Sequence, residues 1–394
     1  MRRSVWRVLG AAMLTLLATA SHAAAAGGPQ GIAASGYELI DLQTGQVLLA
    51  HGSYLRLAPA STTKIMTALL TVMQGRLGRV VRVSPQAYGV EGSSAYLVPG
   101  QKLSIRDLLY GLLLVSGNDA AVELAIAERG SVPAFVAAMN REARALGATG
   151  TTFVNPDGLY LPHHLTTPHD LALMTRQALA YPAFRQIDAT KVFRFPGVPK
   201  PYDLTNQNIL LWNYPGAIGV KIGYTIQAHQ SIVAAATRGG VTLIAVALHT
   251  NFTHMWTDPQ VMLNWGFANF HPIQLVSAGQ LLGHAPSGHA RARATGGFSW
   301  LIGPGQGLPP VRAVYDWPKA YRAGEPVGSL IVGKPGRPLA VIPLVASAPS
   351  PLKAAAGGML RWAEAGLFFA AAVGTWRLRT SRRRRRYRLR FSRR

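Results

Sequence analysis

The apolar positions of this chain fall into two kinds of block. Ile65 to Leu70, Leu108 to Val115 and Ala120 to Ala127 are apolar runs built largely from good helix formers, and each is read as a buried helical segment. Ala217 to Val220 leads into Lys221 with the look of a β-strand, and Ser231 to Ala236 resumes as apolar strand. From about His271 to Ala348 the chain turns to glycine, proline and short Val/Ile/Leu runs without helical periodicity. There Val311 to Tyr315 and Ser329 to Val332 read as strands, with Gly324 to Gly328 as a turn. The pattern predicts an α/β body followed by a smaller β-rich one.

Two more apolar blocks stand at the ends and read as membrane-directed. Arg2, Arg3 and Arg7, then apolar Val8 to Ala20, then Ser21-His22-Ala23, have the order of a secretory signal. Residues 1–23 are expected to be a signal peptide. Met359 to Trp376 has about the least length that crosses a bilayer, and Arg361 and Glu364 near its start can snorkel. Residues 377–394 follow, eleven of them arginine, which fits a cytoplasmic tail under the positive-inside rule. A membrane anchor helix is expected over 357–376, with an interfacial amphipathic helix as the alternative. An arginine run first suggests nucleic acid, but secretion of the rest of the chain argues against that partner.

Composition changes the picture in three places. The formal charge is +24; removing the eleven arginines of the tail and the three of the N-terminal signal leaves +10, which suits an anionic cell-wall environment. No cysteine is present, so neither disulfides nor a thiolate metal site can form. The eleven histidines show no metal-ligand spacing, and His163, His164 and His169 fall in a polar loop with Pro162 and Pro168. No metal or cofactor is expected.

The candidate chemistry lies in three short motifs: Ser61-Thr62-Thr63-Lys64, Ser116-Gly117-Asn118 and Lys221-Ile222-Gly223-Tyr224-Thr225. Each is weak alone. A Ser and a Lys three apart on a helix share one face, with Cβ atoms about 5–6 Å apart. A serine hydroxyl needs an adjacent base, and a lysine can serve if burial and neighbouring cations lower its pKa. Ser61 follows Pro59-Ala60 and precedes the helical run, so it belongs near a helix N-terminus, where free N–H groups favour an oxyanion. Read singly, Ser61 could be an N-cap, Ser116-Gly117-Asn118 a helix–helix turn and Lys221 a surface residue of a hairpin. Together, in this order, they read as a serine acyltransferase with lysine in the base's role. Gly223 would let a substrate backbone approach the strand edge.

At this point the chain resembles the low-molecular-weight penicillin-binding proteins that are D-alanyl-D-alanine carboxypeptidases, serine peptidase family S11. Ala58-Pro59-Ala60-Ser61-Thr62-Thr63-Lys64-Ile65-Met66 is similar to the family's nucleophile helix, and Leu108 to Ala121 to its second motif. Ala34 to Ser53, with Asp41-Leu42-Gln43-Thr44-Gly45, looks like its opening hairpin, and Phe135 to Leu159 like another block. The resemblance implies a β-lactamase/transpeptidase-like fold, an antiparallel sheet flanked by helices over 30–270, then a small β-rich domain over 271–350. It implies Ser61 as the acylated nucleophile, Lys64 as its base and Ser116 as a proton relay. Asn118 would bind the substrate peptide. Lys221 would attract the substrate's carboxylate and depress Lys64, with Gly223 and Thr225 alongside on the substrate-binding strand. The N–H groups of Ser61 and Tyr224 would form the oxyanion hole. The implied partners are peptidoglycan stem peptides ending in D-Ala-D-Ala, with β-lactams as inhibitors, at the extracytoplasmic face of a bacterial membrane.

Two positions depart from the family pattern. Ile222 stands where threonine is usual and Met255 where arginine is common, and both changes remove polar partners for the carboxylate. Losing one hydrogen bond to a charged group costs roughly 1.5–3 kcal/mol. A wall-binding protein with a weakened site is therefore one rival reading. A β-lactamase is the other, but between Glu142 and Lys221 the acids are Asp157, Asp170, Asp188 and Asp203, with no glutamate for class A deacylation.

Overall fold

The apolar run after Ser61 becomes a helix buried on every side. In the computed structural model, which describes residues 28–350, all of α1 (Lys64–Val72) is buried. A helix apolar all round must sit inside the core, and this one does. The other helices longer than one turn among the described residues are α2 (Ile105–Leu114), α3 (Asn118–Arg129), α4 (Val132–Ala145), α5 (Pro168–Leu179), α6 (Pro182–Asp188) and α7 (Thr257–Asn269). Their starts are chemically marked. Ser104 and Asp107 close a capping box on α2, and Thr167 with Pro168 opens α5.

The strands β1 (Gly36–Asp41), β2 (Val47–His51), β3 (Ala217–Thr225), β4 (His229–Arg238) and β5 (Val241–Thr250) form an antiparallel sheet in the order β2-β1-β5-β4-β3. Alternation along β5 sorts the core: Ile244, Val246 and Leu248 pack on the side of α1, while Leu243, Ala245 and Ala247 pack with Met262 and Leu263 of α7. Strand β3 is an edge. It pairs only with β4, Lys221 opposite Val233 and Gly223 opposite Ser231. The helices and sheet thus agree with the expected antiparallel sheet flanked by helices.

The described residues divide into two compact units. One runs to Gln274 and regains Ser299–Leu308. The side chain of Gln46 holds that returning segment, its Nε2 donating to Leu301 O at 2.7 Å and its Oε1 accepting from Leu301 N at 3.1 Å. The second unit contains β6 (Leu281–His284), β7 (Arg291–Ala294), β8 (Val311–Tyr315), β9 (Pro326–Lys334) and β10 (Arg337–Ala346), in the order β6-β7-β10-β9-β8. The turn expected over Gly324 to Gly328 is shorter than the residues suggested. Strand β9 already begins at Pro326, which faces Val345, because proline is tolerated as the first residue of a strand.

The signal peptide expected over 1–23, the anchor helix over 357–376 and the arginine tail over 377–394 lie outside the described residues. Among the described residues no helix is long and apolar enough to cross a membrane.

Candidate active site

Pro59 and Ala60 turn the chain into a short 3-10 segment, Ala60–Thr63, that runs directly into α1. Ala60 has φ +49°, a left-handed conformation unusual for a residue with a side chain, and it sets the half-buried Ser61 at the head of the helix. Two glycines make that turn possible. A Cβ on Gly158 would fall 2.0 Å from Ala60 O, and one on Gly223 would fall 2.6 Å from Ser61 N. The nucleophile turn is gripped by bare backbone on both sides. Gly223 comes from β3, and Gly158 from the loop Asn155–Leu159, where Gly158 N donates to Asn155 Oδ1 at 2.7 Å.

Lys64 is fully buried, and its Nζ lies 3.0 Å from Ser61 Oγ. The amine also donates to Asn118 Oδ1 at 2.7 Å and to Asp157 O at 2.5 Å. Burial lowers its pKa to about 8, against the opposing pull of Asp157 and Asp119. The expected depression is present, but burial causes it rather than Lys221. The repulsion between the two amines shows instead on Lys221, which burial and then Lys64 bring to about 7, with Asp188 opposing. Lys221 is buried on β3 and donates to Ile222 O at 3.0 Å.

The kink between α2 and α3 carries the second motif. Ser116 is buried with φ +61°, and Asn118 opens α3. Both ends of the Asn118 amide are occupied within the protein, since Nδ2 donates to Glu91 O at 2.6 Å while Oδ1 meets Lys64. The next residue, Asp119, accepts from the N–H groups of Ala95 and Leu97 at 2.9 and 3.0 Å and from Ser94 Oγ at 2.7 Å. It ties the loop over residues 93–97 to the kink.

Along β3 the side chains alternate. Lys221, Gly223 and Thr225 share one face, and Ile222 lies on the other, packed against the cluster that contains Ile232 and Met262. Ile222 is a packing residue here, and Met255 is buried. The Tyr224 side chain is 60% exposed, and Thr225 Oγ1 accepts from Ala228 N at 3.0 Å.

Three contributors were not anticipated. His164, expected in a polar loop, is buried. Its Nδ1 accepts from Val154 N at 3.0 Å, which leaves Nε2 to donate to Thr63 Oγ1 at 2.9 Å. Burial, then Lys64, lowers its pKa to about 4, so it is neutral. The carbonyl of Asp157 and the carboxyl of Asp188, which burial pushes well above the usual carboxylate range against the pull of Lys221, are the other two, and neither has a local sequence signal.

A hydroxyl beside a buried amine of lowered pKa, at a helix start with free N–H groups, can attack a carbonyl carbon and hold the oxyanion that results. On an antiparallel sheet flanked by helices, that chemistry defines the serine enzymes of transpeptidase-like fold. The family model described as D-alanyl-D-alanine carboxypeptidase, peptidase S11, matches residues 21–251, and the chain belongs to that family of low-molecular-weight penicillin-binding proteins.

Among its relatives, D-alanyl-D-alanine carboxypeptidase DacF of Bacillus subtilis is 37% identical over 245 residues, 60% of this chain and 63% of that protein. DacB2 of Mycobacterium tuberculosis is 38% identical over 234 residues, covering 58% of this chain and 80% of that one. Penicillin binding protein 5 of Haemophilus influenzae has a structure similar over 82% of this chain and 98% of its own, with TM-score 0.67 and 28% identity. A D-alanyl-D-alanine carboxypeptidase structure from Mycobacterium tuberculosis covers 62% and 95%, with TM-score 0.59 and 37% identity.

Proposed function

We propose that this chain is a serine D-Ala-D-Ala carboxypeptidase that removes the terminal D-alanine from peptidoglycan stem peptides through an acyl-enzyme on Ser61. The observation that carries this reading is the buried Lys64 amine 3.0 Å from Ser61 Oγ. Ser61 Oγ attacks the carbonyl carbon of the last peptide bond as its proton passes to Lys64. The oxyanion is held by the N–H groups of Ser61 and Tyr224. Collapse breaks the C–N bond, and Ser116 relays the proton to the departing D-alanine amine. Water then attacks the ester, Lys64 takes its proton, and Ser61 is regenerated. Lys221, with Thr225 nearby, draws the substrate carboxylate to the edge of β3, where Gly223 leaves room for the substrate backbone. Asn118 binds the peptide and holds Lys64. β-Lactams acylate the same oxygen.

The catalytic domain is assigned to residues 30–270 and the β-rich domain to 271–350. Residues 1–23 act as a secretory signal, and the helix over 357–376 anchors the protein so that the catalytic domain works outside the cytoplasm on the cell wall. The basic body suits that environment.

Incubating the full chain with a stem peptide ending in D-Ala-D-Ala should release D-alanine, and fluorescent penicillin should label the protein covalently. Ser61→Ala should lose both activities while its circular dichroism is unchanged. Labelling that persists in the variant places the nucleophile elsewhere, and a folded wild type that releases no D-alanine favours the weakened-site reading.

A further inference from the structure

Strand β10 is apolar on both of its faces. An antiparallel sheet with one face in water alternates apolar with polar residues, yet Leu339 to Ala346 contains no polar side chain. The register sorts them, because residues directly opposite one another share a face. Ile342 and Leu344 lie on the inner face with Leu330 and Val332 of β9, and all four are buried. Val341 lies on the outer face opposite Ile331, which in turn stands opposite Arg312 of β8. Leu339 and Val314 join that face by alternation, and farther along the sheet Val345 stands opposite Arg293, itself opposite Leu281. Leu281, Val314, Leu339 and Val341 are between 40% and 55% exposed. Single exposed apolar residues are ordinary, but four on one face of one sheet form a patch of the kind that meets a partner.

Charge and reach together select the partner. Arg293 and Arg312 are exposed on the same face, and none of the five strands carries an acid. Over 275–298 and 309–350 the unit has seven lysines and arginines against two acids. A second copy docked through this face would set like charges against each other across a two-fold axis, with no acid on the strands to answer them. An anionic lipid surface accepts both parts, the apolar side chains at the acyl boundary and the guanidinium groups among the phosphates. Such a surface is also within reach. Seven Cα steps lead from Ser350 to Gly357, where the proposed anchor begins, and at full extension they span about 25 Å. The anchor would therefore hold the unit within that distance of the bilayer.

We propose that the outer face of the β6-β7-β10-β9-β8 sheet is a second membrane contact, which lies on anionic lipid through its four exposed apolar side chains with Arg293 and Arg312 among the headgroups. This inference rests on the anchor proposed over 357–376. It gives the β-rich unit a task of its own. A single tether leaves the unit free to swivel, whereas a tether and a face together fix which way it stands on the membrane, and each strengthens the other's hold.

The chain has no cysteine, so a single label can be placed on it at will. Full-length Val341→Cys and Tyr54→Cys, each carrying a polarity-sensitive fluorophore, are reconstituted with vesicles of phosphatidylglycerol and phosphatidylcholine in equal parts, with brominated acyl chains. Position 54 lies in the catalytic unit and is 74% exposed. The label at 341 should be quenched about twofold or more and shift to the blue, as a group at the acyl boundary does, while the label at 54 keeps its emission. Vesicles of phosphatidylcholine alone, or Arg293→Gln together with Arg312→Gln, should lessen that quenching, because each takes away the charge attraction. A label at 341 that is unquenched, or quenched no more than the one at 54, overturns the inference, and so does quenching that neither change lessens. Energy transfer between donor-labelled and acceptor-labelled copies at 341 without vesicles would mark a face between two copies and overturn it too. Sedimentation separates the two readings. A chain that sediments with the vesicles while 341 stays unquenched keeps the anchor and loses the sheet contact, whereas one that does not sediment loses both.

Discussion

His164 and Lys64 carry the same physics in the same direction. Both are bases held away from water, so each is less ready to take a proton in the folded chain than in the unfolded one. For His164 the window is set by its ordinary value of 6.5 and the folded value of about 4. Above the upper value both states are neutral and nothing is lost. As pH falls through the window the unfolded chain takes a proton that the folded chain refuses, so stability declines. Urea unfolding of the wild type should weaken between those values, and His164→Gln should flatten that part of the profile; an unchanged slope rejects the assignment. What was legible at this scale was local. Ser61 and Lys64 stand three apart on one helix, and a spacing rule is enough to join them. Asp188 and Lys221 are brought near only by the packing of α6 on β3, and no local period records that.

At the scale of elements, β3 is where the sequence reading and the structure differ most usefully. The order of strand, lysine and glycine was legible, because apolar strand residues lead into Lys221. The facing of Ile222 was not, because which side of a strand meets the core depends on neighbours far away in the chain. Ile222 packs behind the sheet, so its replacement removes apolar burial rather than restoring a bond to the carboxylate. Ile222→Thr should lower stability by about 1 kcal/mol and leave D-alanine release within a few-fold of wild type. A tenfold gain in kcat/KM would show instead that position 222 reaches the substrate. Gly223 faces the other way. An alanine there would push β3 off Ser61 N and spoil the oxyanion site, where losing one donor costs about 10²–10³ in rate. Gly223→Ala should therefore lose penicillin acylation by about that factor while the near-ultraviolet circular dichroism persists. Acylation within threefold of wild type would mean that the turn yields.

For the whole molecule, the proposed signal and anchor at the two ends are what would set where the chemistry takes place. The arginine tail over 377–394 has the charge of a segment that stays on the cytoplasmic side, and the body has the charge of one that meets an anionic wall. In intact cells making the full chain, protease added outside should digest the body and spare an epitope placed on the tail. Loss of the epitope along with the body would favour a helix lying on the membrane surface. The division into a body of helices and sheet and a smaller all-strand unit was legible in the change of composition near His271. The return of Ser299–Leu308 to the first unit was not, since it rests on contacts far apart in the chain, Gln46 with Leu301, Gln306 with Val47 O and Leu301 in the core, none of which leaves a local pattern.

The grip of Gly158 and Gly223 on the nucleophile turn bears on how such a protein escapes a drug. A side chain at either position would collide with main-chain atoms of Ala60 or Ser61, so neither site offers a lineage a viable alternative. Tyr224 differs: its side chain is 60% exposed, while the part of it assigned to the reaction is its N–H, which every residue but proline supplies. Ile226, 78% exposed, has the same freedom. Under selection by a β-lactam, inherited change should therefore accumulate on this outer rim and leave the two glycines untouched.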